Sequence, residues 1–418
     1  MSSAVPVGCA VAAVDVPDGT PMSGFAARSS GSTGVHDPLT VRALVIDTVA
    51  LVTVDCCALH ERTCASVRDD LLADGIVTEI VLHATHTHAG PCISHERLGV
   101  EAPGLRVEVE RSIVDTVRSA AAARVPCTLV YAEAHGAGVA RNRRHLEREI
   151  DPPVQAVGFD REGRRVATLV SYPCHPVVLD GHNTLISGDF VAPLRERIEA
   201  RHPGSVCVFA TGAAGDVNTG HRAESSFVGG GAGRTFAEAD RVGGVLAAAL
   251  SSVDPAPIDA RPVGFASAGV TLDIAAESDD TVALQVEGWQ REIADGTGRS
   301  ALLVRWLRWA RERPPSPASS WVGRVSVISC GALRIIALPG EPFLSAADRL
   351  RAGHDGPTIV LGYCDGVPGY LPDESAYALG GYEVVDAHRY YAMPGPFARG
   401  TLEAVVDVAA ALLDGPTR

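Results

Sequence analysis

Residues 79–91 read Glu79-Ile80-Val81-Leu82-His83-Ala84-Thr85-His86-Thr87-His88-Ala89-Gly90-Pro91. The apolar run Ile80 to Leu82 lies in a strand predicted over Thr78 to Thr85, and Gly90-Pro91 opens a loop. Side chains alternate across a strand with period 2, so His86 and His88 are expected to point the same way. Paired imidazoles at a strand end fit a metal site or an acid/base pair, and equally a structural or surface role.

Working outward, strand patterns rich in Val, Ile, Thr and Leu recur over Ala4 to Val14, Leu39 to Val54, Cys127 to Val139, Val154 to Phe159, Val166 to Tyr172 and Ser205 to Ala210. Helical spacing of apolar residues appears over Arg62 to Ala73, Leu105 to Ala123, Pro193 to Arg201 and Phe236 to Ser251. Strands alternating with helices predict an α/β fold, with a layered mixed β-sheet core and flanking helices. Ser225 to Arg234 is glycine-rich and reads as a mobile loop. Asp279 to Glu312 is helical and carries Trp289, Trp306 and Trp309, with Arg313 to Pro317 ending it. This stretch, 279–317, reads as a core-packing helical pair or as a cap within a single 1–418 domain. Strands resume at Val322 to Leu338 and Thr358 to Tyr363, and a helix over Thr401 to Leu413 follows.

The 418 residues are 46% hydrophobic and 21% charged, the balance of a globular chain able to bury a large core. A net charge of −14 argues against nucleic acid and against stable association with an anionic membrane. No apolar run reaches membrane-spanning length, and the opening residues lack a basic signal-peptide region. The ten cysteines contain no CxxC pair, so reduced buried thiols and a cytoplasmic location are expected.

Three further segments put reactive groups at strand ends. His175 follows Ser171-Tyr172-Pro173-Cys174, and Glu341 follows Leu338-Pro339-Gly340. Tyr370 lies near the end of the turn-rich loop Gly362 to Pro372. Each also has a plain structural reading: a packed histidine, a helix-start glutamate, a core tyrosine. Arg143, in Asn142-Arg143, can bind a carbonyl or an anion; Asp216, in Gly215-Asp216-Val217-Asn218, can orient a histidine.

The order of these segments resembles the catalytic domain of the neutral (non-lysosomal) ceramidases. The resemblance runs through Thr85 to Pro91, Asn142-Arg143, His175-Pro176, Asn183 to Asp189, Gly215 to Val217, Pro339 to Glu341, and Tyr370 ahead of Tyr382-Glu383. Val7-Gly8 and Met22 to Ala26 resemble the family's opening. It implies a Zn2+ site of His86, His175, Glu341 and Tyr370, with His88 beside the metal contacting substrate or helping proton transfer. Arg143, Asp216 and Asn218 complete the implied catalytic set. Asn218 stands where the family has a serine and cannot shuttle a proton like a hydroxyl. No counterpart of the family's C-terminal immunoglobulin-like domain or secretion signal is expected.

The resemblance implies a zinc-dependent hydrolase of a linear amide bond in an N-acylated amine or small peptide-like metabolite. Two alternatives stay open: an amide-forming, cyclising or acyl-transfer enzyme on the same scaffold, and a non-catalytic metal- or ligand-binding protein.

Overall fold

The computed structural model describes residues 3–223, 233–296, 298–314 and 317–414. The chain runs β1 (Val5–Val14), β2 (Leu39–Ile46), β3 (Val49–Val54), α1 (Glu61–Ala73), β4 (Glu79–Ala84), α2 (Pro103–Ala122), β5 (Val125–Ala134) and the short β6 (Arg141–Asn142). Next come β7 (Val154–Arg161), β8 (Arg164–Tyr172), α3 (Val191–Arg201), β9 (Val206–Thr211), the short β10 (Val217–Asn218) and α4 (Phe236–Ser251). The second half holds β11 (Ala256–Ile258), β12 (Val263–Asp273), α5 (Asp279–Ala294), α6 (Ser300–Glu312), β13 (Ser320–Cys330) and β14 (Leu333–Ala337). It continues through the short β15 (Glu341–Pro342), α7 (Leu344–Ala352), β16 (Thr358–Leu361), the short β17 (Tyr370–Leu371) and α8 (Thr401–Asp414).

Two sheets stack face to face. The larger has the order β4-β3-β2-β1-β5-β7-β8-β9, with β11 also on β5; the smaller has the order β12-β13-β14-β16. Most neighbours are antiparallel, but β3–β4, β8–β9 and β14–β16 are parallel. Alternation along β2 divides its side chains: Leu44 and Ile46 enter the core between the sheets, whereas Ala43 and Val45 face the helices. Both faces of β2 and β3 are therefore buried, which is why they read as near-continuous apolar runs. Helices α1 to α4 cover the outer face of the large sheet, and α7 and α8 cover that of the small one. The result is four layers, helix–sheet–sheet–helix, within the predicted α/β class.

Local chemistry sets the helix starts. The His60 imidazole caps α1, Nδ1 accepting from Arg62 N at 3.1 Å, with Glu61 in the first turn. Pro103 opens α2, whose Leu105, Val109, Ile113 and Val117 form the buried stripe.

Several predicted boundaries move. Leu39 to Val54 is two strands, reversed through Asp47 at φ 55°. Val322 to Leu338 is likewise two, turning at Gly331, where φ is 55° and the Asp259 carbonyl leaves no room for a Cβ. Cys127 to Val139 stays paired only to Ala134. Strand β12 and helix α7 were not expected. Asp279 to Glu312 is a helical pair, with Trp289, Trp306 and Trp309 gathered around the Arg389 guanidinium at 5.2, 5.0 and 5.5 Å. Most of the predicted loop Ser225 to Arg234 lies outside the described residues. Among those described, no helix is long and apolar enough to cross a membrane.

Candidate metal centre

The carboxyl ends of β4, β9 and β16 meet at one rim, where ligands bind in sheets with parallel strands. His83 ties them together. Its Nδ1 donates to Gly362 O at 2.9 Å and its Nε2 accepts from Thr211 N at 2.9 Å. That pairing requires a neutral ring, and burial lowers its pKa to about 3. Thr211 Oγ1 donates to Thr85 O at 2.7 Å, and Ala84 N to Tyr363 O at 3.1 Å.

His86 follows directly, but the expected strand alternation does not orient it. β4 ends at Ala84, and His86 adopts φ 69°, a left-handed conformation that turns its ring into the rim. His86 and His88 still converge, with their Nε2 atoms 3.2 Å apart, because the chain coils rather than because it extends. His86 Nδ1 donates to Cys57 O at 2.6 Å. His175 lies three residues past β8, its Nδ1 donating to Val217 O at 3.0 Å. Both imidazoles thus spend Nδ1 on a backbone carbonyl and present the Nε2 lone pair inward, the arrangement a metal-ligating histidine needs.

Glu341 arrives from the second sheet. Gly340, at φ 66°, turns the chain after β14, and β15 pairs in parallel with β17 so that Glu341 stands opposite Tyr370. Glu341 Oε2 lies 3.0 Å from His175 Nε2 and 3.4 Å from His86 Nε2. The hydroxyl of Tyr391 donates to the other oxygen, Oε1. All three groups are buried, and their ligand atoms lie within 4.8 Å of one another. Burial would raise the Glu341 carboxyl; His86 and His175 outweigh it and hold it well below the usual carboxylate range. Burial likewise opposes charge on His86, but Glu341 and Cys57 lift its pKa to about 10, so a proton and a cation compete for the same Nε2. Two imidazole nitrogens and a carboxylate oxygen fit a divalent ion of the zinc type. Cys57, His86 and His88 form a second possible group. There, however, the thiol lies 3.8 Å from Nδ1, behind the coordinating face of His86.

Tyr370 lies beside this cluster. Its ring stacks 6.4 Å from His175, and the Arg143 guanidinium sits 5.1 Å above it. Arg143 is buried, gives Nε to Glu383 at 2.8 Å and brings Nη1 to 3.5 Å from His175 Nε2. His88 packs edge-on against Phe25 at 4.8 Å and is held by Arg28, which donates to its carbonyl at 2.9 Å. Burial, then His86 and His175, push its pKa well below the imidazole range, so it is neutral. Asp216 orients no histidine. Its carboxylate accepts from Asn142 Nδ2 and from Leu344 N, both at 2.8 Å, and the partner of His175 is the next carbonyl along, Val217. Asn218 is closed into its own loop, its Oδ1 accepting from Gly220 N at 2.8 Å and His221 N at 3.1 Å, its Nδ2 donating to His221 O at 2.7 Å.

Four residues beside the site carried no sequence signal: Cys57, Tyr363, Tyr391 and His221. Tyr363 stacks on His86 at 4.4 Å, and Tyr391 reaches Glu341 from the turn after a 3-10 segment, some fifty residues away in sequence. Only the density of tyrosines after Tyr370 hinted at this wall.

A family model described as neutral/alkaline non-lysosomal ceramidase, N-terminal, matches residues 7–224. That span includes His86, His88, Arg143, His175, Asp216 and Asn218, but stops before Glu341 and Tyr370. The fold is similar to a crystal structure of neutral ceramidase from Pseudomonas aeruginosa, with a TM-score of 0.75 and 18% identity over 99% of this chain and 75% of that one. A structure titled ceramidase complexed with C2 gives 0.74 and 18%, over 100% of this chain and 76% of that one. At such identity the likeness is one of fold. No curated protein matches by sequence.

Proposed function

The chain belongs to the neutral/alkaline non-lysosomal ceramidase family, and from that membership we propose a zinc-dependent hydrolase of a linear amide bond. The substrate class is an N-acylated amine or small peptide-like metabolite. The observation that carries the reading is the convergence of His86 Nε2, His175 Nε2 and Glu341 Oε2 in one buried cluster. We assign Tyr370 as the fourth ligand.

When bound, the ion would supply Lewis-acid polarisation of the carbonyl and activation of water at neutral pH. The protein does the rest. Val217 O and Cys57 O hold both imidazoles in the ligating tautomer. Tyr391 fixes the Glu341 carboxylate. Arg143 Nη1 donates to the oxygen that gains charge as water adds to the carbonyl carbon. The C–N bond then breaks, and a proton must reach the amine nitrogen. His88, neutral and with its Nδ1 buried without a partner among the described residues, takes the proton that the adding water releases and passes it to that nitrogen. Asp216 braces Arg143 through the backbone, Arg143 N donating to Asp216 O at 2.8 Å.

Asn218 does not argue for a non-catalytic protein: its side chain is committed to a loop and takes no ligand from the cluster. Two further proposals concern setting. Helices α5 and α6 act as a cap, with the Arg305 guanidinium 5.3 Å over Tyr390, a residue that also walls the site. All ten cysteines are free, which suits the reducing cytoplasm. The test is amide turnover by the zinc-loaded protein, lost on chelation and restored by zinc; turnover unaffected by complete metal removal would refute the reading.

A further inference from the structure

Three nitrogens on the wall of the site have no hydrogen-bond partner among the described residues: His88 Nδ1, Arg143 Nη2 and His221 Nε2. Buried donors are rarely left unpaired, and at a binding site they mark where a ligand's polar atoms belong. The metal-centre reading uses His88 but neither of the other two. Asn218 spends its whole side chain closing a turn on the backbone of Gly220 and His221, which fixes the imidazole in the pocket.

The charge around it is mainly positive, with Asp180 opposing Arg234 and Arg143. Burial lowers the His221 pKa to about 3, with Arg234 and Arg143 adding to the effect, so the ring is neutral. Arg143 also lines the adjoining compartment, of about 220 Å3, together with Arg144, Arg222 and His145. The acid there, Glu383, is already spent on Arg143 Nε at 2.8 Å and Arg144 Nη1 at 2.6 Å. An occupant of this corner therefore meets donors and positive charge.

We propose that His221 determines specificity: His221 Nε2 and Arg143 Nη2 together accept a carboxylate carried by the substrate, so the preferred amide is of the N-acyl amino acid class. The inference rests on the amide-hydrolysis reading for the reacting bond. It adds the group beside that bond, and it accounts for the asparagine at 218 as the residue that shapes the histidine's turn. A carboxylate bridging a guanidinium and an imidazole N–H forms two charge-assisted bonds, which a neutral carboxamide of the same shape cannot match.

The experiment compares N-hexanoylglycine with N-hexanoylglycinamide as substrates of the zinc-loaded protein. In parallel, the non-hydrolysable ketones 4-oxononanoate and 4-oxononanamide are titrated by calorimetry. The acid is expected to be preferred at least about tenfold in kcat/KM, through KM, and its ketone at least about tenfold in affinity. His221→Phe should abolish both preferences, and His221→Gln, which keeps an N–H near Nε2, should restore part of each. Equal treatment of acid and carboxamide, or a preference unchanged in His221→Phe, would overturn the inference while leaving hydrolysis intact. Binding preference without turnover of either amide would refute the hydrolase reading and leave the carboxylate site standing.

Discussion

At Gly24 the backbone has φ 91°, and an added Cβ would stand 2.6 Å from Nδ1 and 2.7 Å from Cβ of His88. Gly24→Ala is thus both strained and a direct push on the proposed proton carrier. Turnover should fall by roughly 100-fold, as displacements near 1 Å can cost, with zinc content unchanged. Undiminished turnover would show that His88 needs no such placement. Tyr391 offers the complementary case. Tyr391→Phe removes the donor to Glu341 Oε1 without touching a ligand, so zinc affinity should drop by about 10–100-fold, measurable by competition with a chelating dye. The two differ in legibility. His88 is legible as one of a strand-end imidazole pair, and Gly24 lies in the segment Met22 to Ala26 that resembles the family's opening. Tyr391 is not legible in this way: its value comes from a contact across fifty residues that no local pattern records.

Between elements, His83 is the hinge pin. It joins β4, β9 and the loop after β16 through two backbone bonds that only a neutral ring can make. Its folded pKa, about 3, is below the ordinary 6.5, so the unfolded chain binds the extra proton. The stability it contributes is complete above pH 6.5 and is lost as pH falls from there toward 3. One such proton steepens the loss by about 1.4 kcal/mol per pH unit. His83→Gln can keep both bonds without titrating, and urea melts between pH 7 and 5 should show a mean slope shallower by roughly 1 kcal/mol per pH unit. Parallel slopes would contradict the neutral assignment. The elements themselves were unevenly legible. β2, β3 and β8, buried on both faces, gave continuous apolar runs. β12 hid because its middle is Gly264, Ala266, Ser267, Ala268 and Gly269, residues of low strand propensity that are held by pairing with β13. The coil of His86 hid because a left-handed residue interrupts the alternation without any glycine to mark it.

Across the whole molecule, the two stacked sheets do what neither could alone. The first supplies His86 and His175 from the ends of β4 and β8, and the second supplies Glu341 after β14. The α/β class followed from alternating patterns in the first half of the chain. The stacking of a second sheet did not, because register between sheets is decided by packing rather than by period. Ligand candidates were nonetheless legible as a set, since each closes an apolar run beside Gly or Pro. What the sequence left open was their convergence.

That convergence is also where the account is most exposed. Zinc bound per chain should be measured by elemental analysis after dialysis, on the wild type and on His175→Ala and Glu341→Gln, with circular dichroism confirming the fold. The account predicts about one zinc per chain in the wild type and almost none in either variant, as expected when one of few ligands is lost. Stoichiometric zinc retained by both folded variants would contradict it.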